Sequence, residues 1–293
     1  MLKISSYYYR CNPEDHFWAW ERDIGIGLPV CMAGLSNSKV NLVVITSDNY
    51  DVADESDDLS YCQIFAIPKK RPAKFVYSFL SDYIGNEGSV RRWIQMVRPN
   101  LLGCLHHLPL DLIQYGKSFG CDIKLIPWFI TNVLDPVEKD VTAMCGGCVD
   151  PNIYPKRFQI YNYLSSLNRS DIILSGSTQL GKYQFSNRKY LEYAKKVKYY
   201  LSGGINDTFV PPKYYELASY GVCIVTFHMD SLKEVGFEHM KTCMVIKDIN
   251  EIPEILNSDL YKTIGENARQ MIEEKHTVKK RAEEILQIYR NLP

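Results

Sequence analysis

The sequence predicts an α/β protein built from two doubly wound domains that face a central cleft. Three observations predict this. Short apolar runs alternate with helix-period segments along almost the whole chain. One stretch rich in Gly and Pro, residues 131–155, interrupts that alternation near the middle. The length of 293 residues with 46% apolar side chains suffices for two cores of ordinary domain size.

The first half opens its alternation at residues 42–46 (LVVIT), an apolar run of buried-strand character, with a second at 64–67 (IFAI). Residues 73–84 and 89–97 have helical spacing. Pro99-Asn100 breaks the pattern before a strand over 101–105 (LLGCL). A helix over 110–119 ends at Gly120, a residue suited to the left-handed position after a helix. A strand begins at Ile123, and Pro127 ends its ladder. In the second half, helices are predicted over 154–167, 189–197, 212–220, 252–256, 260–273 and 278–289. Strands are predicted at 172–174, 198–201, 223–227 and 244–246. The Gly/Pro-rich stretch then divides the chain into an N-terminal domain, residues 1–135, and a C-terminal domain, residues 136–293.

Composition excludes several functional classes. Lys plus Arg and Asp plus Glu both number 34, so no general field attracts nucleic acid or an anionic membrane. No stretch approaches the roughly 20 apolar residues of a membrane span. The start lacks the pattern of a secretory signal, and the 9 Cys are scattered, which points to reduced thiols and a cytoplasmic location. The pair Cys145 and Cys148 has the spacing of half a zinc site, but no second pair follows, so no metal is expected. GxGxxG, GxxxxGK[ST] and GxSxG are all absent, which argues against a nicotinamide dehydrogenase, a P-loop NTPase and an α/β hydrolase. Tyr is frequent, at 21 residues, but aromatics line ordinary cores as readily as sugar sites.

The chemistry concentrates in residues 211–227, PPKYYELASYGVCIVTF. Pro212 suits the first turn of a helix and Gly221 the residue beyond its end. Glu216 then lies one turn inside, roughly 6 Å along the axis from Pro212. The free N–H groups of a helix start attract a diphosphate. A carboxylate one turn in is placed to accept hydrogen bonds from ribose hydroxyls. Read by periodicity alone, a Glu at this position is more often a solvated helix residue than a ligand contact.

This stretch resembles the donor domain of the group 1 glycosyltransferases, and within them the branch related to the spore protein CgeB. The resemblance rests on Pro211-Pro212-Lys213-Tyr214-Tyr215-Glu216 followed by Leu217-Ala218-Ser219-Tyr220-Gly221 and an apolar strand. It extends to residues 230–237 (DSLKEVGF), to 245–248, and to His276-Thr277 and Arg281 near the end. Upstream, residues 145–157 (CGGCVDPNIYPKR) resemble the small-residue turn and Tyr-Pro-x-Arg of that branch.

The resemblance implies a GT-B fold of two Rossmann-like domains and a nucleoside-diphosphate sugar as donor substrate, with no separate cofactor. It implies ribose binding at Glu216. Lys213, Arg157, Pro212, Gly146, Gly147 and Tyr154 would complete the donor site, with the basic pair on the diphosphate. Many group 1 members have a second Glu seven residues before the first, where this chain has Phe209, so recognition of the donor sugar must differ. The acceptor, a sugar or glycan hydroxyl, would meet the N-terminal half. Residues 97–120 resemble the family's strand, His and helix, which makes His106, His107 and Asp111 candidates for acid–base work. Asp15 and His16, in NPEDHFWAW, join them, although this stretch also reads as a helix cap before an aromatic face. The expected activity is transfer of a sugar to an acceptor hydroxyl without a metal. The alternatives are a non-catalytic sugar-nucleotide binding module or another nucleotide-sugar enzyme such as an epimerase.

Overall fold

In a computed structural model the described residues are 3–7, 41–45, 75–78, single positions from 88 to 98, 100–104, 108–130, 133, 135–177, 187–205 and 207–291. They form two parallel sheets. The first runs β1 (Lys3–Tyr7), β2 (Asn41–Ile45), β3 (Phe75–Ser78), β4 (Leu101–Cys104), β5 (Asp122–Leu125), in that spatial order. Helix α1 (Leu110–Ser118) joins β4 to β5 and ends at Gly120, whose φ of +73° only glycine adopts without strain. The ladder of β5 stops before Pro127, as its missing N–H requires.

The second sheet holds β6 (Val141–Cys148), β7 (Ile172–Ser177), β8 (Val197–Ser202), β9 (Cys223–Phe227) and β10 (Met244–Ile246), ordered β10-β9-β8-β6-β7. Its helices are α2 (Pro155–Ser166), α3 (Asn187–Ala194), α4 (Pro212–Ser219), α5 (Ile252–Leu256) and α6 (Leu260–Lys275). Side chains alternate across a sheet with period two. Odd-numbered residues of the central strands, including Ala143, Cys145, Tyr199, Leu201 and Val225, share one apolar core with α2 and α5. The even-numbered face receives α4, where the Tyr214 hydroxyl lies 2.8 Å from Thr226 Oγ1 on β9.

Two compact units result: Met1–Thr131 with Val278–Pro293, and Asn132–Thr277. The last helix, α7 (Val278–Arg290), thus packs with the first unit, whereas the sequence division placed all of 136–293 in the second. Val278 donates its N–H to Ile130 O at 2.8 Å, and buried Arg281 reaches Trp128 O and Glu284. Among the described residues, no helix is long and apolar enough to cross a membrane.

Two expectations for local structure are corrected. Residues 73–84 were expected to be helical, yet Phe75–Ser78 is a strand paired parallel with β2 and β4. Phe-Val-Tyr has the aromatic and branched side chains that fit a pleated sheet, and this outweighs the helical spacing. Residues 131–155 were read as a linker without periodicity, yet 141–148 form a strand buried at every position, with β7 and β8 on its two sides. The strand Val-Thr-Ala-Met-Cys-Gly-Gly-Cys has few branched residues. Its small side chains are imposed by crowding: a Cβ on Gly146 would lie 2.1 Å from Ser175 Oγ on β7. The helix expected over 189–197 ends at Ala194, and the chain turns into β8 at Val197.

Gly265 supplies a test of this packing. It sits inside α6, where alanine would normally stabilise a helix by about 1 kcal/mol. Here a Cβ would lie 2.2 Å from Gly221 O, a backbone atom in the turn after α4. The clash should win. Gly265→Ala is expected to lose about 1–3 kcal/mol in denaturant unfolding, and a gain in stability would show that α6 and the Gly221 turn are not in contact.

Candidate donor site

The site is built at the carboxyl ends of β6 and β8, where the first turn of α2 meets α4. Pro155 opens α2 after Tyr154, and Arg157 follows in its first turn. The guanidinium of Arg157 is buried, 7% exposed, and turns back onto the sheet. Its Nε donates to Ser202 Oγ at 3.0 Å, Nη1 to Cys148 O at 2.9 Å, and Nη2 to Gly203 O at 2.9 Å. The Tyr154 ring packs 4.0 Å from its carbon centre. Arg157 thereby ties the end of β6 to the end of β8. A guanidinium carries five N–H donors, so two remain for other groups. Gly203 must be small, because a Cβ there would lie 2.8 Å from Lys156 Cβ in the opening turn of α2.

Gly147 lies between the two cations. Its φ is +99°, and a Cβ on it would stand 3.2 Å from Arg157 Nη1 and 3.4 Å from Lys213 Nζ. Two positive groups therefore converge on the space beside one glycine at a strand end. Such a space favours an anion of more than one charge.

Lys213 and Glu216 come from α4. Pro211 caps the helix, Pro212 opens it, and Gly221 (φ +71°) follows its end. Residues three apart share a helix face, so Lys213 and Glu216 lie side by side. The rest of α4 is anchored elsewhere: Tyr214 on Thr226, and Tyr215 edge-on to Phe237 and His276 at 5.5 and 5.0 Å. Lys213 is half-buried, with Nζ 5.1 Å from the centre of the Tyr190 ring on α3. Glu216 is 9% exposed. No hydrogen bond reaches its carboxylate among the described residues.

Burial raises the Glu216 carboxyl well above the usual carboxylate range, and the Lys213 charge offsets only part of this. Burial lowers Lys213, the Arg157 charge lowers it further, and Glu216 acts in the opposite direction. Behind the site, Lys139 Nζ donates to Lys195 O at 2.6 Å and to Tyr220 O at 2.7 Å. It thus joins the chain just after α3 to the end of α4, and burial pushes its ammonium down to about 8.

The predicted donor residues Glu216, Lys213, Pro212, Arg157, Gly146, Gly147 and Tyr154 all fall in this one region. Gly146 and Gly147 are the last part of a strand instead of a tight turn. Arg157 is also a brace, since three of its donors hold the protein's own oxygens. Cys145 belongs to the apolar core, where burial lifts its thiol to about 12 and keeps it protonated. Of the acid–base candidates, Asp111 lies in the first turn of α1, exposed and paired with Arg91. Asp15, His16, His106 and His107 lie outside the described residues. Sequence reasoning missed Tyr190, Ser202, Gly203 and Lys139. The glycine and serine at the end of β8 carried a signal, since small residues at a parallel strand end mark a close approach. Tyr190 was one tyrosine among many.

The raised Glu216 carboxyl has a consequence for stability. A group whose folded pKa exceeds its unfolded value costs nothing at acid pH, where both states are protonated. It costs stability as pH rises through the folded value. Glu216→Gln should therefore melt higher than wild type at neutral pH, and the gap should shrink as pH falls to the ordinary carboxylate range. Lys213 works in the same direction, because losing its neighbour lowers it further. A melting difference constant between about pH 5 and pH 8 would place an ionised Glu216 in water.

Residues 154–287 match the glycosyl transferase-like family model. Among curated proteins no sequence matches. The fold matches sucrose-phosphate synthase from Thermosynechococcus elongatus with TM-score 0.55 and 13% identity, over 94% of this chain and 92% of the other. It matches Anabaena HepE, solved with UDP and glucose, with TM-score 0.55 and 10% identity, over 99% of both chains. TarM matches with TM-score 0.52 and 12% identity over 90% of this chain, which spans 58% of TarM's length. The chain thus has the fold of the GT-B glycosyltransferases, and less than half of it, residues 154–287, matches the glycosyl transferase-like family model.

Proposed function

We propose that the chain transfers a sugar from a nucleoside-diphosphate sugar to an acceptor hydroxyl. One observation carries the reading: a buried carboxylate without a hydrogen-bond partner, Glu216, lies beside a point where Lys213 and Arg157 converge. A nucleoside diphosphate has the matching parts, a ribose diol and a diphosphate separated by a few ångströms. HepE, of the same fold, is seen with UDP and glucose, which supports the reading.

In the proposed reaction the acceptor oxygen attacks the anomeric carbon and the bond from that carbon to the diphosphate oxygen breaks. Negative charge develops on the leaving diphosphate. Lys213 Nζ and the remaining N–H groups of Arg157 are positioned to stabilise it without reorganising, because the fold already holds them there. The anion in turn favours the charged form of Lys213, which burial alone disfavours. The acceptor proton passes to a base or to solvent. We assign the acceptor surface to the N-terminal half, with Asp15, His16, His106, His107 and Asp111 as the candidate bases. Asp111 would have to release Arg91 to serve.

Five measurements test the reading. A thermal-shift screen with UDP-, GDP-, ADP- and dTDP-sugars should raise the melting temperature for at least one donor, and no shift with any would end it. With that donor, Glu216→Ala is expected to lose roughly 1.5–3 kcal/mol of affinity in calorimetry. Lys213→Ala should lose far more affinity for the nucleoside diphosphate than for the bare nucleoside; equal losses would take Lys213 off the phosphates. Turnover should survive EDTA, whereas full loss restored by manganese or magnesium would show that a metal assists the leaving group. Among Ala variants of the five candidate bases, one should lower kcat by about 10²–10⁴-fold with donor affinity intact.

A further inference from the structure

Tyr190 stands apart from the other tyrosines of the second unit. Tyr199, Tyr200 and Tyr214 all place their hydroxyls on protein oxygens, at Ser258, Gly146 and Thr226. The Tyr190 hydroxyl is buried and has no hydrogen-bond partner among the described residues. A buried hydroxyl without a partner is costly, and native structures keep few of them. Its position is informative. The Lys213 ammonium lies over its ring, 5.1 Å from the centre. Tyr190 therefore lies beside Lys213 of α4. The Glu216 charge also reaches the phenol, where it adds to burial in holding the proton on.

The surroundings of Lys213 thus hold a buried phenolic O–H without a hydrogen-bond partner among the described residues and the carboxyl of Glu216, whose charge reaches both groups. The carboxylate needs a donor, and the phenol needs an acceptor. A hydroxyl group is both at once, and two adjacent hydroxyls can serve both groups. We infer that Tyr190 is a further donor-binding residue: its hydroxyl bonds a ribose hydroxyl that Glu216 also holds, and its ring keeps Lys213 directed at the diphosphate. The inference rests on the donor reading above and adds to it a choice of substrate class. The site takes ribonucleotide donors in preference to deoxyribonucleotide donors, because a missing hydroxyl leaves buried polar groups unmatched.

The test is a cycle in which one hydroxyl is removed from the protein and one from the ligand. Wild type and Tyr190→Phe are titrated by calorimetry with UDP, GDP and ADP. The tightest of these is then compared with its 2′-deoxy and 3′-deoxy forms. For one of the two deoxy ligands, wild type should lose about tenfold in affinity, and Tyr190→Phe should lose clearly less. Equal losses in both proteins for both ligands overturn the contact, while normal binding of the parent ligand would leave the donor reading standing. If no nucleoside diphosphate binds wild type, the donor reading itself falls and this inference with it. Tyr190→Phe should melt at or above the wild-type temperature, since it deletes a hydroxyl without a partner. A lower melting temperature would assign that hydroxyl a structural role and overturn the proposal. Tyr190→Leu removes the ring as well, and should lose more affinity for the diphosphate than for the nucleoside, relative to Tyr190→Phe. A ratio unchanged between these two variants would show that the ring does not direct Lys213.

Discussion

The site depends on the buried guanidinium of Arg157. A cation taken out of water destabilises a fold unless its donors are met. Here they are met by Cys148 O, Gly203 O and Ser202 Oγ, the ends of two adjacent strands. Because the guanidinium is planar with donors in fixed directions, it sets the spacing of those ends as a lysine would not. Several features follow from that spacing. The start of α2 presses on Gly203, so no side chain fits there. Gly147 takes a positive φ beside the cation. The remaining guanidinium N–H groups face the same space as Lys213, so the brace and the anion site are parts of one group.

Helix α4 supplies the other half, and its composition is divided between anchoring and chemistry. Tyr214, Tyr215 and Leu217 are fully buried and fix the helix against β9 and its neighbours. Lys139 closes its end by donating to Tyr220 O while also holding Lys195 O. The two charged residues of α4 gain little from this arrangement. Burial opposes the charge on Glu216 and on Lys213 alike, and Arg157 repels Lys213 as well. A sequence selected for stability alone would replace both. Two buried charges held at a cost in stability are the pattern expected of groups with a role beyond folding.

The half that carries the candidate donor site was legible in the sequence because its signals are local. Proline before a short helix and glycine after it fix the limits of α4 whatever surrounds them, and the structure has them at Pro212 and Gly221. Alternating apolar runs similarly announced β2, β4, β8 and β9. What stayed hidden depends on partners distant in the chain. Strand β6 has small residues because β7 and α2 crowd it, and nothing within 141–148 reveals that crowding. Arg157 reads as a generic phosphate ligand until Ser202 and Gly203, some 45 residues later, are seen to occupy two of its donors and Cys148 a third. Lys139 reads as a surface lysine until two carbonyls, 56 and 81 residues away, are found on its ammonium. Residues 73–84 misled because the spacing of apolar residues fitted a helix while the residue types fitted a strand, and in a parallel sheet the residue types prevailed.

The same geometry bears on what kind of ligand the site can distinguish. A bare phosphate would answer Lys213 and Arg157 and leave Glu216 buried without a donor. A nucleoside would answer Glu216 and leave the two cations repelling each other across Gly147. On the proposed reading, a molecule carrying both a diphosphate and a diol would relieve both, and the relief would be cooperative. An anion that restores the charge on Lys213 also helps Glu216 ionise, since the two charges lie side by side on one helix face. Ionised Glu216 then accepts stronger hydrogen bonds from the diol. Recognition of the two ends of the ligand would, on the proposed reading, be coupled through a single turn of α4, which Tyr214, Tyr215 and Lys139 hold in place. On that reading, selectivity for the whole nucleotide over its parts would follow from the i, i+3 spacing of Lys213 and Glu216 and from their burial.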